Sequence, residues 1–237
     1  MTIEDFSNGF DTLCNSYIRN NPYGLTMSDI RFDEYEKSLF LTKAQQDFAV
    51  NLYNGNAGAG FEVVEENRRY LTSLVSEHTF TNADSKGSFG GNVYTLPSKL
   101  WFITHESVTV SDASCENMSV QDVIPVRQDE YNRLKRNPFR GVSARRALRL
   151  DIGNNKVEIL SSNTISKYFI MYLRKPAPII LVNLEDDVKI EGESTAQTSE
   201  LHEALHGRIL ELAVRMALQS KTIGNVSNNN NNSNAAN

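Results

Sequence analysis

The sequence predicts an α+β fold: N-terminal helices and a returning C-terminal helix packed together, with a small central antiparallel β-sheet. Three observations predict it. Apolar residues in the first third recur at spacings of three and four, the period of a helix face. The middle is rich in β-branched and aromatic residues in short, partly alternating runs. The helical period returns from Leu201. On this reading the 237 residues divide into a helical region (1–92) and a β-rich region with a short helix at 128–136 (93–184). An acidic linker and C-terminal helix packing on 1–92 follow (185–221), then an Asn-rich tail (222–237).

The first helix carries Ile3, Phe6, Phe10, Leu13 and Tyr17 on one stripe, and Asn20-Asn21-Pro22-Tyr23-Gly24 ends it. The second starts at Asp33, whose carboxylate can cap the free amides of the first turn while Glu36 reaches back, a capping box. It runs to about Tyr53, with Tyr35, Leu39, Phe48 and Leu52 as expected core contacts, and glycines 55, 58 and 60 break it. A third helix spans Phe61 to Val75.

Val93–Leu96, Leu100–Val110 and residues 120–126 read as strands, followed by a helix from Gln128 to Arg136 that Asn137-Pro138 stops. Residues 147–152 and 156–160 form a hairpin about Gly153-Asn154-Asn155, and Lys167–Arg174 and Ile179–Val182 supply further strands. Hairpin connections imply antiparallel pairing. Leu201, Leu205, Ile209, Leu212 and Met216 mark the last helix, to about Lys221. Beyond it, TIGNVSNNNNNSNAAN has no charged side chain and almost no apolar bulk, so burial cannot offset its ordering entropy and a partner must order it.

Composition excludes several classes. Hydrophobic residues at 40% and charged residues at 22% are too apolar for a wholly disordered chain. No apolar run approaches the roughly 18 residues of a membrane span. MTIEDFSNGF has acids where a signal peptide needs a basic region, so export by that route is not expected. Two cysteines, Cys14 and Cys115, fit a reducing compartment and exclude a disulfide framework.

The net charge of -5 hides segregation. Residues 1–66 carry 4 basic and 11 acidic residues, and residues 183–203 carry 1 and 7. Residues 127–149 carry 8 basic residues (Arg127, Arg133, Lys135, Arg136, Arg140, Arg145, Arg146, Arg149) and 2 acidic. Such a block attracts nucleic acid, an acidic protein surface or another copy of the chain; the same block also fits a solvated face balanced by nearby acids. Tyr131 and Phe139 interleave with it, as in some nucleic-acid surfaces or as anchors of a strand or subunit contact.

His202-Glu203-Ala204-Leu205-His206 matches H-E-x-x-H on a predicted helix, the pattern in which two histidines hold zinc and the glutamate polarises its water. A third ligand is lacking. No His follows 206, and Glu211 lies about 7.5 Å further along the same helix, out of reach of one tetrahedral site. His78 or His105 could supply a ligand from upstream, but nothing in the sequence indicates that they do. The expectation is no bound metal, no cofactor and no catalytic set. Gly55, Gly58 and Gly60 do not form a phosphate or dinucleotide loop, since no strand precedes them.

FDEYEKSLFLTKAQQDFAVNLYNG (32–55), LPSKLWFITHESV (96–108), VIPVRQDEYNRLKRNPFRGVSARRALRLDIGNNKVEIL (123–160), KYFIMYLRKPAPIILVNL (167–184) and LHGRILELAVRMALQSK (205–221) resemble the portal-adaptor ring proteins of crAss-like bacteriophages, short-tailed phages of gut Bacteroidales. The resemblance implies a head–tail connector rather than an enzyme, made in the host bacterial cytoplasm and located in the virion at the head–tail junction. Copies of the chain would form a twelve-fold ring that meets the portal protein and the next tail ring protein and surrounds passing DNA, with no membrane contact. Arg133, Lys135, Arg136, Arg140, Arg145 and Arg146 are then the candidate subunit or DNA-channel interface. Asn225, Asn228, Asn229, Asn230, Asn231, Asn232 and Asn237 are the candidate portal-docking residues, expected in an extended strand. The alternatives are a nucleic-acid-binding protein using 127–149 and, more remotely, a zinc hydrolase through His202, Glu203 and His206.

Overall fold

A computed structural model describes residues 1–19, 31–55, 61–112, 115–185 and 187–234. The expected helix stop at Asn20–Gly24, glycines 58 and 60, and Asn237 lie outside them. In chain order the elements are α1 (Ile3–Arg19), α2 (Glu34–Tyr53), α3 (Phe61–Leu71), β1 (Val75–Phe80), β2 (Ser85–Lys86), β3 (Asn92–Thr95), β4 (Leu100–Asp112), β5 (Cys115–Val126), α4 (Tyr131–Lys135), β6 (Arg146–Gly153), β7 (Lys156–Leu160), β8 (Thr164–Arg174) and α5 (His206–Asn234). They fall into a helical unit, Met1–Leu74 with Pro176–Asn237, and a sheet unit, Val75–Lys175. The boundaries at 92 and 184 therefore move to 74 and 175. The third helix ends at Leu71 rather than Val75, VSEHTF within the region expected to be helical is β1, and residues 177–181 belong to the helical unit.

In the helical unit α1 buries Phe6, Phe10, Cys14 and Ile18, a strict four-residue spacing that leaves Leu13 and Tyr17 half-buried. Gly9 lets α5 approach closely: a Cβ there would stand 2.7 Å from Leu210 Cδ2. The capping box of α2 is present, with the Glu36 amide donating to Asp33 Oδ1 at 2.7 Å and the Asp33 amide to Glu36 Oε2 at 3.3 Å. Its buried face differs from the expected one. Leu52 is buried, but Tyr35 and Phe48 are half-buried and Leu39 is exposed. Lys37, Ser38, Leu41, Thr42, Ala44, Gln45 and Ala49 are buried instead.

Three polar members of that face, Ser38, Thr42 and Gln45, bond the main chain of 177–181. The Ile179 amide donates to Thr42 Oγ1 at 3.0 Å, and the same hydroxyl donates to Ile179 O at 3.2 Å. The Leu181 amide donates to Ser38 Oγ at 3.0 Å, and Gln45 Nε2 to Ala177 O at 2.7 Å. On its other side this segment meets Gln197 through paired Ile180–Gln197 backbone bonds of 2.9 Å. It is thus an extended segment held by side chains, not the sheet strand expected at Ile179–Val182; the side chains supply what a neighbouring strand would.

Helix α5 also differs at both ends. It starts at His206, after a 3-10 turn at Glu203–Leu205, and continues to Asn234 rather than stopping near Lys221. Adding a residue to an existing helix fixes one residue per new hydrogen bond, which is far easier than starting a helix, so even an Asn-rich segment can continue a well-packed one. Leu201, Leu205 and Ile209 are buried as the stripe predicts, joined by Leu210, Ala213, Val214, Ala217 and Leu218.

The sheet unit has eight strands in the order β1-β8-β4-β5-β6-β7-β3-β2, larger than expected. All pairs are antiparallel except β5–β6, which is parallel because residues 127–145 cross over through α4 instead of turning back as a hairpin. The β6–β7 turn uses Gly153, Asn154 and Asn155 at φ 87°, 51° and 58°, the left-handed region that Gly and Asn tolerate. The sheet curls on itself. The Phe80 ring from β1 lies 5.5 Å from Tyr94 of β3, and Tyr94 lies 5.0 Å from Tyr168 of β8. Val108, Val110, Ala147, Val157, Ile159 and Ile170 fill the enclosed face. Tyr131, Leu148, Leu150 and Leu160 form a second cluster under α4.

Candidate interaction surfaces

The basic stretch divides once its residues are placed. Arg149 projects from β6 into the curled sheet, where it pairs with the buried Glu106 carboxylate and, through Nε, with Asp151 at 3.0 Å. Tyr168 donates to the other Glu106 oxygen at 2.7 Å. Burial raises the Glu106 pKa, against the pull of Arg149 and the Tyr168 hydroxyl. Burial likewise pushes the Tyr131 hydroxyl up to about 12, so this aromatic is core rather than surface. Arg133 pairs with Glu130 at 2.8 Å, Lys135 donates to Phe89 O at 2.6 Å, and Arg146 donates to Phe139 O at 2.9 Å. Among the described residues Arg136, Arg140 and Arg145 make no ion pair and are exposed.

These three flank a built loop. Asn137 Oδ1 accepts the Phe139 and Arg140 amides at 2.8 and 3.1 Å, and the Gly141 amide donates to Asn137 O at 2.7 Å. A Cβ on Gly141 would stand 2.5 Å from that same oxygen, so only glycine fits. The loop holds Phe139 out at 88% exposure, the most exposed large hydrophobic residue described. Of the two aromatics in the stretch, one is structural and one is offered to solvent.

The helical unit offers a receptive surface. Leu39, Phe40 and Ile190 line a groove of about 480 Å³ between α2 and residues 189–191, rimmed by Glu36, Glu191, Lys43 and Lys189. The expectation that Leu39 is core fails because the interior side of α2 is the polar stripe. Glu36, Lys43 and Gln46, at three, four and seven residues from Leu39, share its face. That hydrophilic company was the available signal.

The H-E-x-x-H residues do not share a helix. His202 caps the 3-10 turn, its Nδ1 accepting the Ala204 amide at 3.3 Å, and α5 begins only at His206. Both His206 nitrogens are engaged: Nδ1 lies 3.0 Å from the Met1 ammonium and Nε2 lies 2.9 Å from Leu201 O. The ammonium can only donate, so the neutral ring carries its proton on Nε2. Among the described residues no three His, Cys, Asp or Glu side chains gather as a metal would need. Asn225 and Asn228–Asn232 lie on the backbone of α5, not on an extended strand. Among the described residues no helix is long and apolar enough to cross a membrane.

Among the described residues, the exposed loop about Phe139 and the groove beside α2 are surfaces that could serve for contact. The model of the family described as phage tail ring protein 3/4 matches residues 1–230. The chain is 41% identical over 231 residues to Ring protein 3 of Bacteroides phage crAss001, covering 94% of this chain and 97% of that one. It is 33% identical over 232 residues to Ring protein 4/5 of the same phage, covering 92% of each. With matches that span both the helical and the sheet unit, the chain belongs to the phage tail ring protein 3/4 family.

Proposed function

We propose that this protein is a non-catalytic ring-forming adaptor that joins the portal to the tail and surrounds the channel through which DNA leaves. The family makes it a structural component of a phage virion. The observation that carries the finer reading is the loop at 137–146, which fixes an exposed Phe139 among the unpaired Arg136, Arg140 and Arg145. Aromatic and arginine residues in one rigid patch are what a protein–protein contact uses as anchors. Repeating one head-to-tail contact through a rotation that closes produces a ring; the resemblance makes that ring twelve-fold. The relatives' names number more than one ring, which suits a stack with the portal above and another tail ring below. In this reading Thr222–Asn237 docks on the portal, its described part, to Asn234, as the end of α5 rather than as a strand.

The test is charge reversal at Arg140 and Arg145; Arg146 is spared because it braces the loop through Phe139 O. The double variant Arg140→Glu/Arg145→Glu should fold normally and lose the large native particle of the wild type, read by native mass spectrometry. Normal assembly with a loss of DNA affinity would instead favour a nucleic-acid surface, recognised by a steep dependence on salt.

A further inference from the structure

We infer that Phe139 of one copy seats in the α2 groove of the next, an inference that rests on the ring reading above. A head-to-tail interface needs two different, complementary patches on one chain. The described surface supplies a knob and a groove. The knob is a single aromatic ring, 88% exposed, on a loop whose geometry is fixed by Asn137 and Gly141. Rigidity matters because a side chain already held in place loses little freedom on binding. The groove is apolar along Leu39, Phe40 and Ile190, and Leu39 is 41% exposed, too much for a core leucine. The occupant is a second copy because the charges match. The knob stands in the basic block, net +6 over 127–149, with three arginines unpaired. The groove is built wholly from residues of the two acidic segments, 1–66 and 183–203, net -7 and net -6. Its own rim is balanced, Glu36 and Glu191 against Lys43 and Lys189, so the match is that of the segments rather than of the rim. Burying the ring supplies affinity, while the charges orient the approach and bar a knob from meeting a knob.

The test uses two full-length variants, Phe139→Asp, which lacks the knob, and Leu39→Arg, which blocks the groove. Each should keep the wild-type circular dichroism and melting transition, because both sites are exposed. Each alone should shift the assembly midpoint by at least about tenfold in concentration, the loss expected for an interface anchor. Mixed together they should form a one-to-one dimer that grows no further, since one live knob meets one live groove and nothing remains to extend it. Normal assembly of either variant, or impaired variants that form no dimer on mixing, overturns the pairing while leaving the ring reading intact. A wild-type chain that stays monomeric in the concentrated state overturns both. If Phe139→Asp assembles normally and loses DNA affinity, the loop is a nucleic-acid surface and the pairing is wrong. Should a charged variant lose the wild-type melt, Phe139→Ala and Leu39→Ala are read by the same outcomes.

Discussion

His206 shows how much one ring can hold. Burial lowers its pKa from the ordinary 6.5; the bond to Leu201 O works in the opposite direction, and the nearby N-terminal charge adds to the lowering. Because the folded value is below the unfolded one, the unfolded chain takes up the proton first as pH falls. The His206 contribution to stability is therefore whole above 6.5 and is lost as pH falls through the lowered folded value. Denaturant midpoints measured between about pH 7 and pH 5 should fall in the wild type and fall less in His206→Gln; equal slopes would remove His206 from this role. Arg149 poses the complementary case. Replacing it with Met leaves the Glu106 carboxylate buried with only the Tyr168 hydroxyl. The expected loss is about 3–5 kcal/mol in urea unfolding, much of it restored in Glu106→Gln/Arg149→Met. A loss below 1 kcal/mol would mean that water reaches Glu106. Strand alternation could not have assigned Arg149 to the interior. Ala147 on its own side and Leu148 on the other are both buried, so β6 has no solvent side in that stretch to mark the difference.

At the scale of elements, the bounds of α2 were readable because caps are local chemistry: Asp33 and Glu36 meet across three residues. Its buried face was not, because the groups that Ser38, Thr42 and Gln45 satisfy come from residues more than 130 positions away. Nothing in the sequence near α2 announces them. The clamp has a sharp test in Thr42→Val, which keeps the shape and removes the oxygen, leaving the buried Ile179 amide without its acceptor. The expected cost is about 1–3 kcal/mol, read from thermal or chemical unfolding. A neutral result would show that the hydrophobic neighbours alone hold residues 177–181. The parallel β5–β6 pair eluded the sequence for a related reason. The crossover is only a short helix and a loop, so the two strands read as neighbours in a meander. β1 eluded it because VSEHTF interrupts its apolar residues with Glu and His and lies against a helical pattern.

For the whole molecule, charge segregation and the family phrasing of long segments were legible, and they pointed to association rather than catalysis. Which arginines face outward was not legible, because exposure is settled by Asn137, Gly141 and the sheet beneath them. The extent of α5 likewise depends on the packed turns that precede the Asn-rich segment. Truncation after Lys221 therefore separates two roles. Deleting 222–237 should leave the melting temperature within a degree or two, since that segment has no charged side chain and almost no apolar bulk to contribute to a core. It should also weaken attachment to the portal, measured by co-sedimentation of the truncated chain with portal-containing particles. Attachment equal to the full chain would remove the tail from docking.

The clamp on residues 177–181 also sets a timetable. The helical unit is interrupted in sequence by the sheet unit, so α1 and α2 leave the ribosome before the chain that completes them exists. At about 5–20 residues per second, roughly 100 intervening residues take about 5–20 s to translate. Over that interval Phe6, Phe10, Leu41 and Ala44 have no α5 to cover them, and the Ser38, Thr42 and Gln45 side chains have no backbone to receive. A growing chain in this condition is a substrate for chaperones and for premature association with its neighbours on the same message. The sheet, whose strands all lie within one continuous stretch, can finish first and hold the two halves of the helical unit on a single tether. The helical unit can be completed only when Pro176 onward emerges, late in translation.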